Sequence, residues 1–162
     1  MSTAIIGLGN PLLSDDGVGV EVARMAAERL RHRSDVTAME SCAGGIRLME
    51  AMAGHDRVFL IDSILTEQGV PGTVYRLDEY GLLETRNAHS SHDSSLAVAL
   101  EFGRMAGIRL PRRVQIWAVE AEDVVTFGEG LTPRVAQAAR ATAECLLREL
   151  GEGAVAPAGE LI

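Results

Sequence analysis

The chain has 162 residues, 47% of them hydrophobic and 23% charged, and this size and balance predict a single globular domain over residues 1–162. Its formal net charge of −8 offers no cationic surface for a phosphate backbone, so we expect no nucleic-acid partner. The sequence has neither an apolar run near the ~18 residues of a membrane helix nor a secretory signal, which predicts a cytoplasmic protein without membrane contact.

The first predicted elements are a strand, a loop and a helix. Thr3 to Leu8 is an apolar run typical of a fully buried strand, and the glycine and proline that follow predict a turn. Ser14 is suited to cap the next helix, with Asp15 and Asp16 in its first turn. Apolar residues at helical spacing mark the inner face of that helix: Val22, Met25, Ala26 and Leu30.

The middle of the chain continues this alternation. Val36 to Met39 is a second short strand, and a helix is predicted after it. The clearest buried strand runs from Arg57 to Asp62 and ends in a carboxylate, and a fourth strand is expected over Thr73 to Leu77. The inner face of the helix between the second and third strands is predicted from three residues: Ile46, Met49 and Ala53.

The last third of the chain predicts two helices around a fifth strand. Ser90 and Asp93 resemble a capping box before the first of these helices. Val114 to Val119 is the fifth strand, and Thr132 with Pro133 opens an alanine-rich helix to about Leu150. Residues 151–162 are expected to form a frayed tail. The inner stripe of the first helix comprises Leu96, Ala99, Leu100 and Gly103.

Strands that alternate with helices imply parallel crossovers. We therefore predict an α/β fold, a three-layer sandwich in which a twisted, mostly parallel sheet of about five strands carries helices on both faces. In such sheets ligands bind beyond the carboxyl ends of the strands, where the connections diverge. Functional residues are accordingly sought in the loops after the strands.

Nucleophilic and phosphate chemistry are weakly indicated. All fifteen basic residues are arginine, so the chain lacks lysine for a Schiff base or a Walker-type phosphate loop. Cys42 has no recognisable basic partner, and no serine lies in a Gly-x-Ser-x-Gly elbow. The two cysteines form no Cys-x-x-Cys pair, which suits a reducing compartment.

Two acids and one histidine are the stronger candidates. Asp15 and Asp16 either complement the dipole of the first helix or carry function, and Asp62 either forms a turn or presents its carboxylate at the sheet edge. His92 is predicted in the first turn of a helix, whose positive end favours the neutral imidazole that binds metal. Asp16, Asp62 and His92 together would hold a divalent transition metal with open coordination positions.

The sequence resembles the hydrogenase maturation proteases, endopeptidases that trim the large subunit of nickel-iron hydrogenases. Four kinds of motif occur in the family's order and spacing between about Thr3 and Leu150. They are Gly7-Leu8-Gly9-Asn10-Pro11-Leu12 with Asp15-Asp16-Gly17-Val18-Gly19-Val20, then Leu60-Ile61-Asp62-Ser63, then Ser91-His92-Asp93, and finally Gly130-Leu131-Thr132-Pro133-Arg134-Val135.

The resemblance implies both an activity and a site. The substrate is the precursor of a [NiFe] hydrogenase large subunit, whose carboxy-terminal extension is removed once nickel is in place. Asp16, Asp62 and His92 match the family's metal-binding and catalytic positions. Nickel then comes with the substrate, and no permanently bound organic cofactor is expected.

The resemblance also points to a substrate-contacting segment after the second strand. Many family members have Asp-Gly-Gly-Thr there, whereas this chain has Glu40-Ser41-Cys42-Ala43 before two glycines. The proline that is common after the fifth strand is also absent. We expect the substrate to contact Glu40, Cys42, Gly44 and Gly45.

Two other functions remain open from the sequence. A module that binds the metal or the precursor without cutting it could use the same triad. Peptidyl-tRNA hydrolase also has Gly-Leu-Gly-Asn-Pro after its first strand, but this chain has Leu12 after Pro11 and acids where that enzyme carries a histidine. The charge of −8 also suits tRNA poorly.

Overall fold

A computed structural model describes residues 1–78 and 93–152 of the chain. Five strands form one sheet in the order β2-β1-β3-β5-β4. The strands are β1 (Thr3–Leu8), β2 (Val36–Ser41), β3 (Arg57–Ile64), β4 (Val74–Asp78) and β5 (Arg113–Glu120). The helices are α1 (Val18–Leu30), α2 (Gly45–Met52), α3 (Asp93–Met105) and α4 (Pro133–Glu149).

The sheet is mostly parallel, as the alternating pattern predicts. Strands β2, β1, β3 and β5 run in parallel, and β4 runs antiparallel to its neighbour β5. Strand β1 is buried along its whole length, because it lies between β2 and β3 and has helices over both faces. The predicted three-layer α/β fold is confirmed.

Two hydrophobic cores flank the sheet. Helices α1 and α4 pack on one face, and α2 and α3 pack on the other. In β3, Phe59 and Ile61 enter the first core, whereas Val58 and Leu60 enter the second. Since side chains alternate along a strand, the position of Asp62 falls on the face that α2 and α3 cover.

The start of α1 differs from the sequence prediction. Ser14 to Gly17 form a 3₁₀ turn, and α1 begins only at Val18 without a side-chain cap. Ser14 has a φ of +49°, a left-handed conformation, and does not serve as the predicted helix cap. The two acids of this turn make hydrogen bonds to residues far away in the sequence, and the spacing of apolar residues along a helix does not predict such contacts.

The predicted buried faces of helices α2 and α3 agree in part with the structure. Helix α3 buries the predicted stripe, including Leu96, Ala99 and Leu100. Helix α2 packs through Leu48, Met49 and Met52, so the prediction that Ile46 faces inward was wrong. Ile46 lies in the first turn of α2 and is 54% exposed. The predicted cap at residue 90 and the tail from residue 153 lie outside the described residues.

The described residues contain no helix that is both long enough and apolar enough to cross a membrane.

Close contact between α1 and the sheet predicts a large effect of Gly19→Ala. A Cβ at Gly19 would lie 2.2 Å from the carbonyl oxygen of Ile61 and 2.5 Å from that of Leu8. Because both contacts are with backbone, which can shift only by disturbing the packing of α1 on the sheet, we expect the free energy of unfolding to fall by about 2–3 kcal/mol in urea titrations. Gly128→Ala is the control, since a Cβ there meets nothing within 4 Å. Equal stability of the two variants would contradict this packing.

Candidate functional site

The loop between β1 and α1 carries both acids of the first motif. Gly9 follows β1 with a φ of +128°, and a Cβ there would lie 1.8 Å from the carbonyl oxygen of Asp16. Only glycine therefore permits the turn to fold back over the end of the strand. This fold brings Asp16 above the carboxyl ends of β1 and β3.

Asp15 is a structural residue. Its side chain is fully buried and accepts hydrogen bonds from the backbone nitrogens of Glu122, Asp123 and Thr132 at 2.9, 3.0 and 2.7 Å. The Thr132 hydroxyl donates a fourth bond at 2.9 Å. Asp15 thus ties the first loop to the connection between β5 and α4, a role that neither of its sequence interpretations included.

Asp16 is half-buried and faces the carboxyl end of β3. Its Oδ2 accepts a hydrogen bond from the Asn10 backbone nitrogen at 2.7 Å, and its Oδ1 accepts one from the Ser63 hydroxyl at 3.2 Å. These two bonds fix the orientation of the carboxylate. Adjacent aspartates in the sequence therefore have different environments.

Asp62 lies in β3, two residues before the strand ends at Ile64. It is 6% exposed, and its Oδ1 accepts a hydrogen bond from the Ser63 backbone nitrogen at 2.8 Å. Ser63 therefore contacts both carboxylates, Asp62 through its backbone and Asp16 through its hydroxyl. In the sequence Ser63 stands out only as the last residue of the Leu60-Ile61-Asp62-Ser63 motif, and the Asp-Ser pair near a strand end is the signal for this contact.

The third predicted residue, His92, lies outside the described residues. Helix α3 begins at the next residue, Asp93. The end of α3 packs near the second half of α2, where Gly103 approaches Met49, and the chain then enters β5 opposite the start of β3. The start of α3 consequently lies toward the carboxyl ends of the strands, the same edge that carries Asp62.

The described part of the site is therefore a pair of carboxylates. Within residues 1–78 and 93–152, no three His, Cys, Asp or Glu side chains are grouped closely enough to hold a metal ion. Two carboxylates supply hard oxygen ligands and can accept a proton, and an imidazole would complete a mixed oxygen and nitrogen set. The predicted ligand triad stays a prediction.

The predicted substrate-contacting residues lie at the end of β2 and the start of α2. Glu40 forms a bidentate ion pair with Arg24 of α1, with nitrogen to oxygen distances of 2.8 and 3.1 Å. Its carboxylate is therefore directed to the α1 side of the sheet, away from the face of Asp62. Cys42 is exposed, and Gly44 and Gly45 open α2. Their contact with substrate remains a prediction.

A further buried carboxylate, besides Asp15 and Asp62, lies at the end of β5, where Glu120 pairs with Ile64 of β3. Glu120 is 1% exposed and accepts hydrogen bonds from the backbone nitrogen and hydroxyl of Thr66 at 2.7 and 3.0 Å. Burial, followed by the charge of Glu120, raises the pKa of Tyr75 above its ordinary value. Glu120 holds the loop after β3 in place. An acid ending an apolar strand was the signal in the sequence, as it was for Asp62.

Comparison with known proteins gives one consistent result. A family model described as hydrogenase maturation protease matches residues 20–149. The hydrogenase 2 maturation protease of Escherichia coli (strain K12) is 29% identical over 157 residues, which cover 96% of this chain and 94% of that protein.

Solved structures agree with this match. The hydrogenase maturating endopeptidase HybD from E. coli has a TM-score of 0.73 and 28% identity, covering 93% of this chain and 94% of that one. A [NiFe] hydrogenase maturation protease HybD from Thermococcus kodakarensis has a TM-score of 0.72 over 92% of this chain and 99% of its own. At 24% identity, the latter likeness supports the fold alone.

Proposed function

Because this chain belongs to the hydrogenase maturation protease family, we propose that it removes the carboxy-terminal extension of a nickel-loaded [NiFe] hydrogenase large-subunit precursor. The observation that carries this proposal is the pair of carboxylates, Asp16 and Asp62, which share Ser63 at the carboxyl edge of the sheet. Ligand sites of parallel α/β folds lie at this edge.

The nickel of the precursor is the recognition element in this proposal. Asp16, Asp62 and His92 engage the ion through two carboxylates and one imidazole, donors that suit divalent transition metals. The position of α3, which begins directly after His92, supports the inclusion of that histidine. A precursor without nickel would gain nothing from the triad, so the ion acts as a checkpoint before cleavage.

Cleavage itself requires a polarised carbonyl or an activated water. A divalent ion can supply either effect, and one of the two carboxylates can accept the proton that water releases. Asp16 is the more accessible of the two, whereas Asp62 is almost completely buried. Hydrogen bonds from Asn10 and Ser63 keep Asp16 oriented before substrate arrives.

Of the two alternatives, the non-enzymatic module is the one that requires a separate test. The same carboxylates could hold a precursor without cutting it, and family membership favours cleavage. The peptidyl-tRNA hydrolase alternative is not retained, because the family model and the matches from Escherichia coli point to maturation proteases.

Nickel dependence gives the first functional prediction. A purified precursor is incubated with the protein in nickel-loaded and nickel-free forms, and its mass is followed with time. We expect the loaded form to lose its extension and the nickel-free form to react at least about tenfold more slowly, because the triad then lacks its binding partner.

A large subunit of mature length serves as the control, because it has no extension to lose. Equal cleavage of both precursor forms would refute nickel recognition but leave proteolysis standing. Binding of the loaded precursor without any change in mass would favour the non-enzymatic module.

A further inference from the structure

Three large apolar side chains are exposed on two loops at the carboxyl edge of the sheet. Leu12 is 42% exposed, Val125 is 81% exposed and Phe127 is 78% exposed. None of them belongs to either of the two described cores. Exposed apolar groups that occur together on ordered backbone are typical of interaction surfaces.

Backbone hydrogen bonds join these two loops. The Ser14 nitrogen donates to the Gly128 oxygen at 3.0 Å, and the Gly128 nitrogen donates to the Leu12 oxygen at 2.9 Å. Leu12 and Phe127 therefore flank the same paired segment. The paired segment leads directly into the 3₁₀ turn Ser14–Gly17, which carries Asp16, so the two loops adjoin the candidate site along the chain.

Polar contacts hold the second loop in shape. The Asp123 Oδ1 accepts hydrogen bonds from the backbone nitrogens of Val125 and Thr126, both at 2.9 Å. Asp15 binds the backbone at Glu122 and Asp123 as well. Because these bonds do not involve the side chains of Val125 and Phe127, both side chains are available to a partner.

Acidic residues border the apolar side chains. Glu122 and Glu129 are exposed on the same loop as Val125 and Phe127. A complementary partner therefore presents apolar side chains next to basic ones. A protein substrate that is cleaved at Asp16 and Asp62 passes next to the loops that carry Leu12, Val125 and Phe127, since these loops lie at the same edge of the sheet.

We propose that Leu12, Val125 and Phe127 form a docking surface for the hydrogenase large-subunit precursor, which packs an apolar segment with basic neighbours against them. This proposal rests on the proposed function. It adds a second means of recognition, in which the protein surface of the substrate is bound in addition to its nickel. The docking surface supplies affinity for the protein, and the carboxylates act on the bond to be cut.

The test uses the double variant Val125→Ser/Phe127→Ser. Its dissociation constant for a fluorescently labelled, nickel-loaded large-subunit precursor is compared with that of the unchanged protein, and KM is measured in the mass-based cleavage assay. We expect both constants to rise about tenfold or more, because buried apolar side chains dominate the energy of protein interfaces. The unfolding midpoint in urea is expected to stay unchanged, since neither side chain lies in a core.

Val98→Ser/Phe102→Ser is the matched control. It removes the same two residue types from the exposed side of α3, where Val98 is 69% and Phe102 is 55% exposed. We expect this control to bind the precursor as the unchanged protein does. Equal weakening by both double variants would overturn the proposal.

The outcomes separate docking from proteolysis. Cleavage with unchanged constants in the Val125→Ser/Phe127→Ser variant would overturn the docking surface and leave the proposed function intact. Binding without cleavage, weakened by this variant, would support docking and overturn proteolysis. If the unchanged protein neither binds nor cleaves the precursor, both proposals fail. A dimer that the variant converts to a monomer in sedimentation would assign the surface to self-association and overturn docking.

Discussion

Asp16→Asn and Asp62→Asn are each expected to slow precursor cleavage by about a hundredfold or more, because each removes a charged ligand and a proton acceptor from the site. Asparagine has nearly the same size as aspartate, so neither substitution opens a cavity. In Asp16→Asn the hydrogen bonds from Asn10 and Ser63 are lost or weakened, because the amide lacks the negative charge of the carboxylate. The rate is measured by mass spectrometry with nickel-loaded precursor. His92→Ala is expected to have an effect of the same order.

Glu67→Gln is the matched control for these variants. Glu67 is an exposed acid on the loop after β3, so its replacement removes one negative charge near the same edge without touching the site. We expect it to retain the rate of the unchanged protein. Cleavage at that rate by Asp16→Asn, Asp62→Asn and His92→Ala would end the proposed assignment of all three residues.

Asp15→Asn is expected to produce the largest loss of stability, about 3–4 kcal/mol in the free energy of unfolding. Four donors converge on this carboxylate. An amide presents one oxygen and one NH₂ group, and the NH₂ group would face donors that it cannot satisfy. Urea titration followed by circular dichroism gives the free energy directly.

Asp16→Asn is the natural comparison, because it makes the same chemical change one residue further along. We expect it to lose less than about 1.5 kcal/mol, since Asp16 is half-buried and accepts two hydrogen bonds from the part of the chain that the structure describes. We therefore expect Asp15→Asn to act mainly on the free energy of unfolding and Asp16→Asn mainly on the rate of cleavage. Coincident unfolding curves for Asp15→Asn and the unchanged protein would contradict the structural role of Asp15.

Much of the fold follows from local patterns. The apolar run before Asp62 predicts a buried strand, and the spacing of Leu96, Ala99 and Leu100 predicts the inner face of α3. Both are confirmed, because burial on two sides of a sheet and on one side of a helix produces patterns that can be read within a few residues. Two predictions were wrong: Ser14 lies in a 3₁₀ turn whose backbone bonds the distant Gly128, and Ile46 is exposed in the first turn of α2.

The site is only partly readable from the sequence. An acid at the end of a buried strand predicts that Asp62 lies at the carboxyl edge, and the Asp15-Asp16 pair marks the first loop. Nothing local distinguishes the two acids of that pair. Their roles separate through Thr132, which binds Asp15 and is 117 residues away, and through Ser63, which binds Asp16 and is 47 residues away.

The sequence by itself determined the α/β class, the order of strands and helices and the candidacy of Asp62, because periodicity and strand-end chemistry are local properties; it marked the Asp15-Asp16 pair, and the family resemblance pointed to Asp16 within that pair. Only the tertiary structure decided that Asp15 is buried and joins the first loop to the segment before α4. It also decided that Glu40 pairs with Arg24 and that Ser63 bonds both carboxylates of the site. Each of these results depends on groups far apart in the chain, whose approach is fixed by the packing of the whole sheet.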